Sequence, residues 1–378
     1  DGDFYDSIYD SLHKVYDRVS EGGYILFHDY QRPDLPGVEQ AIVDFFEERD
    51  EIFTITKVCP QLGVIQKKEY KKPYLNEPIT KQPTIEVNQL PSSPPNNYTI
   101  VSGLWNLSRD GREFKNHYLA NFEQFLKIDS PMILFIPKYL EEFVRARRSD
   151  VNTFIKICEL SDIKSLYSPH WNKTQEIRTS ENWINITGEN GWLTNSPQCK
   201  LEYYNPIVMS KMSMLNESVC FNPFETDYFF WLDAGITNTV NSTDLIEGKV
   251  LDKLPELGNP FLFLSYPYKN YEIHGFKTSE IVKLIGKETE YVCRGGLFGG
   301  HADQIREANS TYYHLLSDTL NAGNMGTEET IFTIMAYLQP LIYQRYKINS
   351  GGFIQNFIDD IKEGKAEPVI TPKSEINY

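Results

Sequence analysis

The sequence predicts an α/β protein built from more than one unit around a mostly parallel central sheet. Three observations carry that expectation. Strands of buried type alternate with helical patterns over most of the chain, a proline-dense stretch breaks the alternation near residues 71–95, and 378 residues exceed what one hydrophobic core usually holds.

The first unit runs from residue 1 to about 70. "SIYDSLHKVYDRV" places Ile8, Leu12, Val15, Tyr16 and Val19 at helical spacing, "EGG" stops the helix, and "YILFHDY" reads as a buried strand. "GVEQAIVDFFEER" is the next helix, and "FTITKV" with "LGVIQKK" reads as a closing strand pair. This order is about half of an α/β domain and leaves one sheet edge uncovered. The opening "DGDFYDS" reads as the interior of a domain, so the expectation is a fragment of a longer protein. Residues 71–97, "KKPYLNEPITKQPTIEVNQLPSSPP" and the two that follow, lack periodic apolar positions and read as an extended linker.

The second unit spans 98–378. Strands are expected at "YTIVSGLW" (98–105), "MILFIP" (132–137), "YFFWLDAGI" (228–236), "PFLFLSYPY" (260–268) and "YVCRGGLFGG" (291–300). Helices are expected near 113–127, 138–148, 151–161, 205–217, 301–321 and 327–338. Ligands of such sheets bind beyond the carboxyl ends of the strands.

Composition excludes several partners. The formal charge of -15, from 52 acidic against 37 basic residues, disfavours nucleic acid and anionic membranes. The five cysteines are dispersed and form no C-x-x-C pair, which suits a reducing, cytoplasmic setting and neither a disulfide framework nor a zinc cage. No apolar run approaches the ~20 residues of a membrane-spanning helix. Triplets such as Asn97-Tyr98-Thr99 arise by chance in a chain this rich in Asn, Ser and Thr.

The candidate chemistry gathers at expected strand and helix ends. Asp233 closes the run "FETDYFFWLDAGI" at the carboxyl end of a central strand, and Ala234 and Gly235 leave room beside it. A carboxylate there can hold a divalent cation against a diphosphate, although Asp and Gly also simply end strands. "CRGGLFGG" supplies Gly295, Gly296, Gly299 and Gly300, which permit close backbone approach to a ligand or merely a tight turn. In "NMGTEETIFTIMAYLQP", Gly326 or Thr327 can cap a helix whose first turn carries Glu328 and Glu329; helical geometry suggests that at most one of the two faces a site. Arg109 and Arg112 follow the first strand of this unit and suit a phosphate, and Lys211 lies in an otherwise apolar helix, where a snorkelling surface lysine is the ordinary outcome.

These residues carry a resemblance. "YTIVSGLWNLSRDGREF", "YYNPIVMSKMSML", "NPFETDYFFWLDAGI", "GGLFGG" and "GTEETIFTIMAYLQPLIY" resemble the HtrL/YibB-type proteins, related to WlaTC and associated with surface-polysaccharide assembly, over about 98–346. The resemblance implies a GT-A-like nucleotide-binding fold and a glycosyltransferase of hexosyl type, moving a sugar from a nucleotide-sugar donor to a glycan acceptor with Mn²⁺ or Mg²⁺. It gives Asp233 the metal or donor-ribose role and Glu328 or Glu329 a sugar contact. It gives Gly295, Gly296, Phe298, Gly299 and Gly300 the acceptor wall, and it places Arg109, Arg112, Lys211 and Gly235 on the donor side. The usual D-x-D motif of GT-A enzymes reads Asp233-Ala234-Gly235 here, a departure that bears on the metal.

The amino-terminal stretch "DGDFYDSIYDSLHKVYDRVSEGGYILFHDY", to about residue 68, is similar to the second half of the macrocin O-methyltransferase (TylF-like) family, a Rossmann-like fold. That likeness implies Asp1 and Asp29 as metal ligands and Asp3 as the base, with His28-Asp29 where the family has an Asp pair. No glycine-rich S-adenosylmethionine loop precedes it, so methyl transfer would need a longer parent protein carrying that half. The alternatives to glycosyl transfer are thus a sugar O-methyltransferase in such a parent, or a noncatalytic glycan-binding module on the same fold.

Overall fold

The computed structural model describes residues 5–19, 23–30, 35–49, 55–59, 62–67 and 97–370, apart from 190 and 248. The chain forms two compact units, Asp1–Asn88 and Gln89–Tyr378.

In the first unit the helix α1 (Tyr5–Val15) precedes strand β1 (Tyr24–His28), then come helix α2 (Gly37–Glu48) and strands β2 (Ile55–Cys59) and β3 (Leu62–Gln66). The strands make an antiparallel sheet in the order β1-β3-β2. Both helices place one apolar face on a small core of Leu12, Tyr16, Phe27, Val38, Ile42, Phe45, Phe46 and Ile65. Phe45 meets Tyr16 and Phe46 edge to face, the arrangement aromatic quadrupoles favour. Asp29, just after β1, is buried with a positive φ of 59°, and its Oδ2 lies 2.7 Å from His28 Nδ1. Asp1, Asp3 and residues 71–96 of the expected linker lie outside the described residues.

The second unit is built on a seven-stranded sheet. Its strands are β4 (Tyr98–Gly103), β5 (Met132–Ile136), β6 (Thr153–Ile157), β7 (Tyr228–Leu232), β8 (Phe261–Pro267), β11 (Tyr291–His301) and β12 (Tyr343–Lys347), in the order β12-β8-β11-β7-β4-β5-β6. A two-stranded ribbon, β9 (Glu272–Ile273) with β10 (Phe276–Lys277), stands apart. Helices α3 (Ala120–Phe125), α4 (Glu141–Arg145), α5 (Tyr204–Phe221), α6 (Thr278–Ile285), α7 (Ala302–Asn321), α8 (Glu328–Leu338) and α9 (Gln355–Lys362) cover it.

Strand alternation separates two cores. Val101, Phe135, Phe229, Trp231, Phe263 and Phe298 belong to one, with α5, α7 and α8. Ile100, Leu134, Phe230, Leu232, Leu264 and Leu297 belong to the other, with α3 and α9. The helix α8 is buried from Glu328 to Tyr337, as expected of a helix apolar on nearly every side.

One expectation is corrected here. The stretch 151–161 was expected to be helical; Thr153–Ile157 is instead the edge strand β6, parallel to β5, and its half-buried residues suit an edge position. The sheet is mostly parallel, as expected; β11 is antiparallel to both β7 and β8 and is the reversed strand within an otherwise parallel set. Its pairing with β8 jumps from Cys293 opposite Ser265 to Phe298 opposite Phe263, so Arg294 to Leu297 bulge out against the single residue Leu264.

Candidate functional site

That bulge opens beside the carboxyl end of β7. The backbone N–H of Asp233 donates to the Gly296 carbonyl at 3.0 Å, which ties the end of β7 to the displaced segment of β11. A cavity of about 440 Å³ forms there, lined among others by Arg109, Arg112, Lys211, Asp233, Gly295 and Glu329. Most of the expected site residues therefore meet in one place: Gly235, Gly296 and Glu328 also line it.

Asp233 is held rather than free. Its Oδ1 accepts from Trp231 Nε1 at 2.7 Å and lies 2.8 Å from Lys211 Nζ, while about 41 % of the side chain remains exposed. The indole is buried on the strand, so the carboxylate is oriented by a rigid donor two residues back. Gly235 has no atom within 4 Å of where a Cβ would stand, so the space beside Asp233 is open.

Lys211 is not the snorkelling surface residue expected of its helix. It is 6 % exposed, and its ammonium contacts Asp233 Oδ1 at 2.8 Å, Glu328 Oε1 at 2.7 Å and the Gly295 carbonyl at 3.1 Å. An ammonium has three N–H donors, and three protein oxygens take them. Lys211 was expected beside the phosphates; in this structure its three donors are all directed at protein oxygens. Burial pulls its pKa down, but Asp233 and Glu328 outweigh burial and the net direction is up, so the lysine stays charged. Burial raises Glu328, against the pull of Lys211, and Glu329 adds to the rise.

Glu328 and Glu329 both line the cavity, which corrects the expectation that at most one would. Adjacent helical residues diverge in the middle of a helix, but these two open α8 and their side chains turn to different partners. Glu329 Oε2 lies 2.9 Å from His274 Nε2, its Oε1 lies 3.3 Å from Arg294, and the Gly295 N–H donates to Oε1 at 3.0 Å. Burial opposes its charge, but Arg294 and His274 win and hold its pKa down at about 2. Burial lowers the His274 pKa, but its hydrogen bond to Glu329 and the charges of Glu329 and Glu328 together outweigh burial, so its net shift is upward. Thr327 stands at the cap position of α8 with extended backbone, yet its side chain makes no capping hydrogen bond. Its Oγ1 is buried without a partner, and the residue lines the cavity.

The glycines divide. Gly295 needs to be glycine because a Cβ would lie 2.1 Å from Glu328 Oε1, and Gly296 also faces the cavity. Phe298, Gly299 and Gly300, expected on the acceptor wall, are paired within the sheet opposite Trp231, Phe230 and Phe229. The reversed direction of β11 is the reason: moving along it from Gly296 leads away from the carboxyl edge of β7. At Gly299, where φ is +149°, a Cβ would meet the Phe229 carbonyl at 2.2 Å, so that glycine serves sheet packing.

Arg109 and Arg112 lie on the loop after β4. Arg109 donates to the Tyr118 hydroxyl at 3.5 Å, and among the described residues neither arginine forms an ion pair. His274 and Arg294 were not among the expected site residues. His274 sits alone at the tip of a two-residue ribbon, where no periodic pattern points to it; Arg294 stood in view within "CRGGLFGG" beside the glycines.

Among the described residues no group of three or more His, Cys, Asp and Glu side chains is arranged to hold a divalent cation. Asp233 Oδ1 already takes two N–H donors, and an ammonium fills the space between Asp233 and Glu328. Mg²⁺ and Mn²⁺ want about six oxygens in place of an amine. The donor set suits the lysine and does not fit such an ion.

Residues 96–357 match the family HtrL_YibB, described as bacterial protein of unknown function, and residues 1–66 match macrocin-O-methyltransferase (TylF). A search of curated proteins found no match. Among solved structures, the apo form of mouse xyloside xylosyltransferase 1 is similar at 10% identity and a TM-score of 0.38, covering 66% of this chain and 84% of that one. At that score the likeness transfers neither fold nor function. Among the described residues no helix is long and apolar enough to cross a membrane.

Proposed function

The chain belongs to the HtrL/YibB family, and from its site we propose that residues 98–378 form a glycosyltransferase acting on a nucleotide-sugar donor and a glycan acceptor. The observation that carries this reading is one cavity in which two arginines, without carboxylate partners among the described residues, adjoin a set of carboxylates held by internal cations. Lys211, Arg294 and His274 face Asp233, Glu328 and Glu329, so the two arginines are the cavity cations left available to an anion. A diphosphate has the charge and the oxygen geometry for such a pair.

The sugar end is assigned to the carboxylate side. Asp233 lines the cavity with its Oδ1 fixed by Trp231 and Lys211, so it can accept the proton of an acceptor hydroxyl in a constant orientation. Glu329 and the unpartnered Thr327 hydroxyl offer hydrogen bonds to sugar hydroxyls. Transfer needs a stabilised leaving group and a positioned base, and the cavity offers candidates for each. The first unit, through its match to the TylF family, fits a partner activity that methylates the same glycan.

The test is hydrolysis and transfer with a panel of UDP- and GDP-sugars, followed by release of the nucleoside diphosphate. Turnover that falls at least tenfold in Arg109→Ala supports the reading. Binding of glycan without turnover of any donor would make this a glycan-binding module instead.

A further inference from the structure

We propose that Lys211 is the resident cation of this site. Its ammonium occupies the position between Asp233, Glu328 and the Gly295 carbonyl where a divalent ion would otherwise sit, so the cavity takes its anionic ligand through arginines and without a metal. The inference rests on the glycosyl-transfer reading only for the identity of that anion.

Three features support it. The lysine is built in: it comes from the middle of α5, is almost wholly buried, and spends every donor on protein oxygens. The cradle is shaped for it, because Gly295 brings its carbonyl to the ammonium and leaves space for Glu328, which any Cβ would expel. And Gly235 has open space where a Cβ would stand, so the chain has room beside Asp233 for a second carboxylate and does not supply one there. A divalent ion entering here would have to displace Lys211 or sit against it, and like charges at that distance repel strongly.

Lys211 is thus a positioning residue: it fixes the two carboxylates and does not touch the ligand. Replacing it removes the internal cation and leaves Asp233, Glu328 and the Gly295 carbonyl facing one gap, an oxygen set of the kind that divalent ions prefer.

The experiment is a titration with Mn²⁺ followed by electron paramagnetic resonance, on the wild-type chain and on Lys211→Ala, with UDP affinity measured by calorimetry in EDTA and in Mn²⁺. The wild type is expected to bind no stoichiometric Mn²⁺, and its UDP affinity in EDTA should stay within about threefold of that in Mn²⁺. Lys211→Ala is expected to gain Mn²⁺ affinity by about tenfold or more, since hard oxygens are released to the ion. One Mn²⁺ bound per wild-type chain and lost in Asp233→Asn would overturn the proposal, as would a folded Lys211→Ala chain with no gain. Should the variant fail to fold, the wild-type titration decides alone. Absence of UDP binding under both conditions would count against the glycosyl-transfer reading, and the Mn²⁺ titration would still decide the role of Lys211.

Discussion

The strand β11 carries two glycine pairs, three residues apart, with opposite duties. Gly295 and Gly296 lie in a bulge, face a cavity, and permit a carboxylate and an ammonium to meet. Gly299 and Gly300 lie in regular pairing with β7 and β8, and their missing side chains let backbones pass at distances no Cβ tolerates. The same residue type serves a site at one end and a sheet at the other. What separates them is register, which decides whether a position falls opposite the end of β7 or its middle.

Substitutions along β11 sharpen that contrast. Gly299→Ala should have the largest effect: its Cβ would lie 2.2 Å from the Phe229 carbonyl at a φ of +149°, and strain plus overpacking should cost about 3–5 kcal/mol in urea unfolding. Gly295→Ala should cost less, about 2–3 kcal/mol, because its neighbour is the end of a side chain that can swing. That swing breaks the contact of Glu328 with Lys211, so Gly295→Ala should lose transfer activity even in the fraction that remains folded, a combination Gly299→Ala does not predict.

A pH series addresses the partner that fixes Glu329. His274 is raised above its ordinary 6.5 in the fold, so the stability it contributes is fully present below that value and is lost as pH rises through its folded pKa. Glu329 is lowered from 4.5 to about 2, so its contribution is present above 4.5 and is lost as pH falls toward 2. Thermal melts should show His274→Gln less stable than wild type near pH 5.5, with the gap closing in alkaline buffer. A gap that is constant with pH would mean that the contact is not ionic. The smallest effect is expected of Gly296→Ala, about 1 kcal/mol, because the nearest atom is the flexible Ile354 Cδ1 at 2.8 Å.

Much of this arrangement was legible in the sequence, and the exceptions have physical causes. Asp233 stood out because a run of large apolar residues must end somewhere, and its end in a mostly parallel sheet is where a crevice opens. The direction of β11 could not be read. A connection of more than twenty residues that contains α6 looks like the crossover of a parallel pair, and strand composition carries no arrow. From that one hidden sign follows the misplacing of Phe298, Gly299 and Gly300. Lys211 was visible as a charge on an apolar helix, but its fate depended on two carboxylates 22 and 117 positions away in sequence. The strands β6 and β12 were missed because "TFIKI" and "YQRYK" are short, half polar, and lie at the sheet's edges.

We propose Asp233 as a working carboxylate held in place by Trp231 and Lys211, rather than the mere end of a strand. The most direct test is turnover of a nucleotide-sugar by Asp233→Asn together with its melting temperature. The amide keeps the shape and an acceptor oxygen for the indole but leaves the buried Lys211 with one carboxylate, so the melting temperature should fall modestly with the chain still folded, while loss of a preorganised charge should reduce transfer by about 10²–10³. Near wild-type turnover in the folded variant would contradict the account and leave Asp233 as the close of a strand.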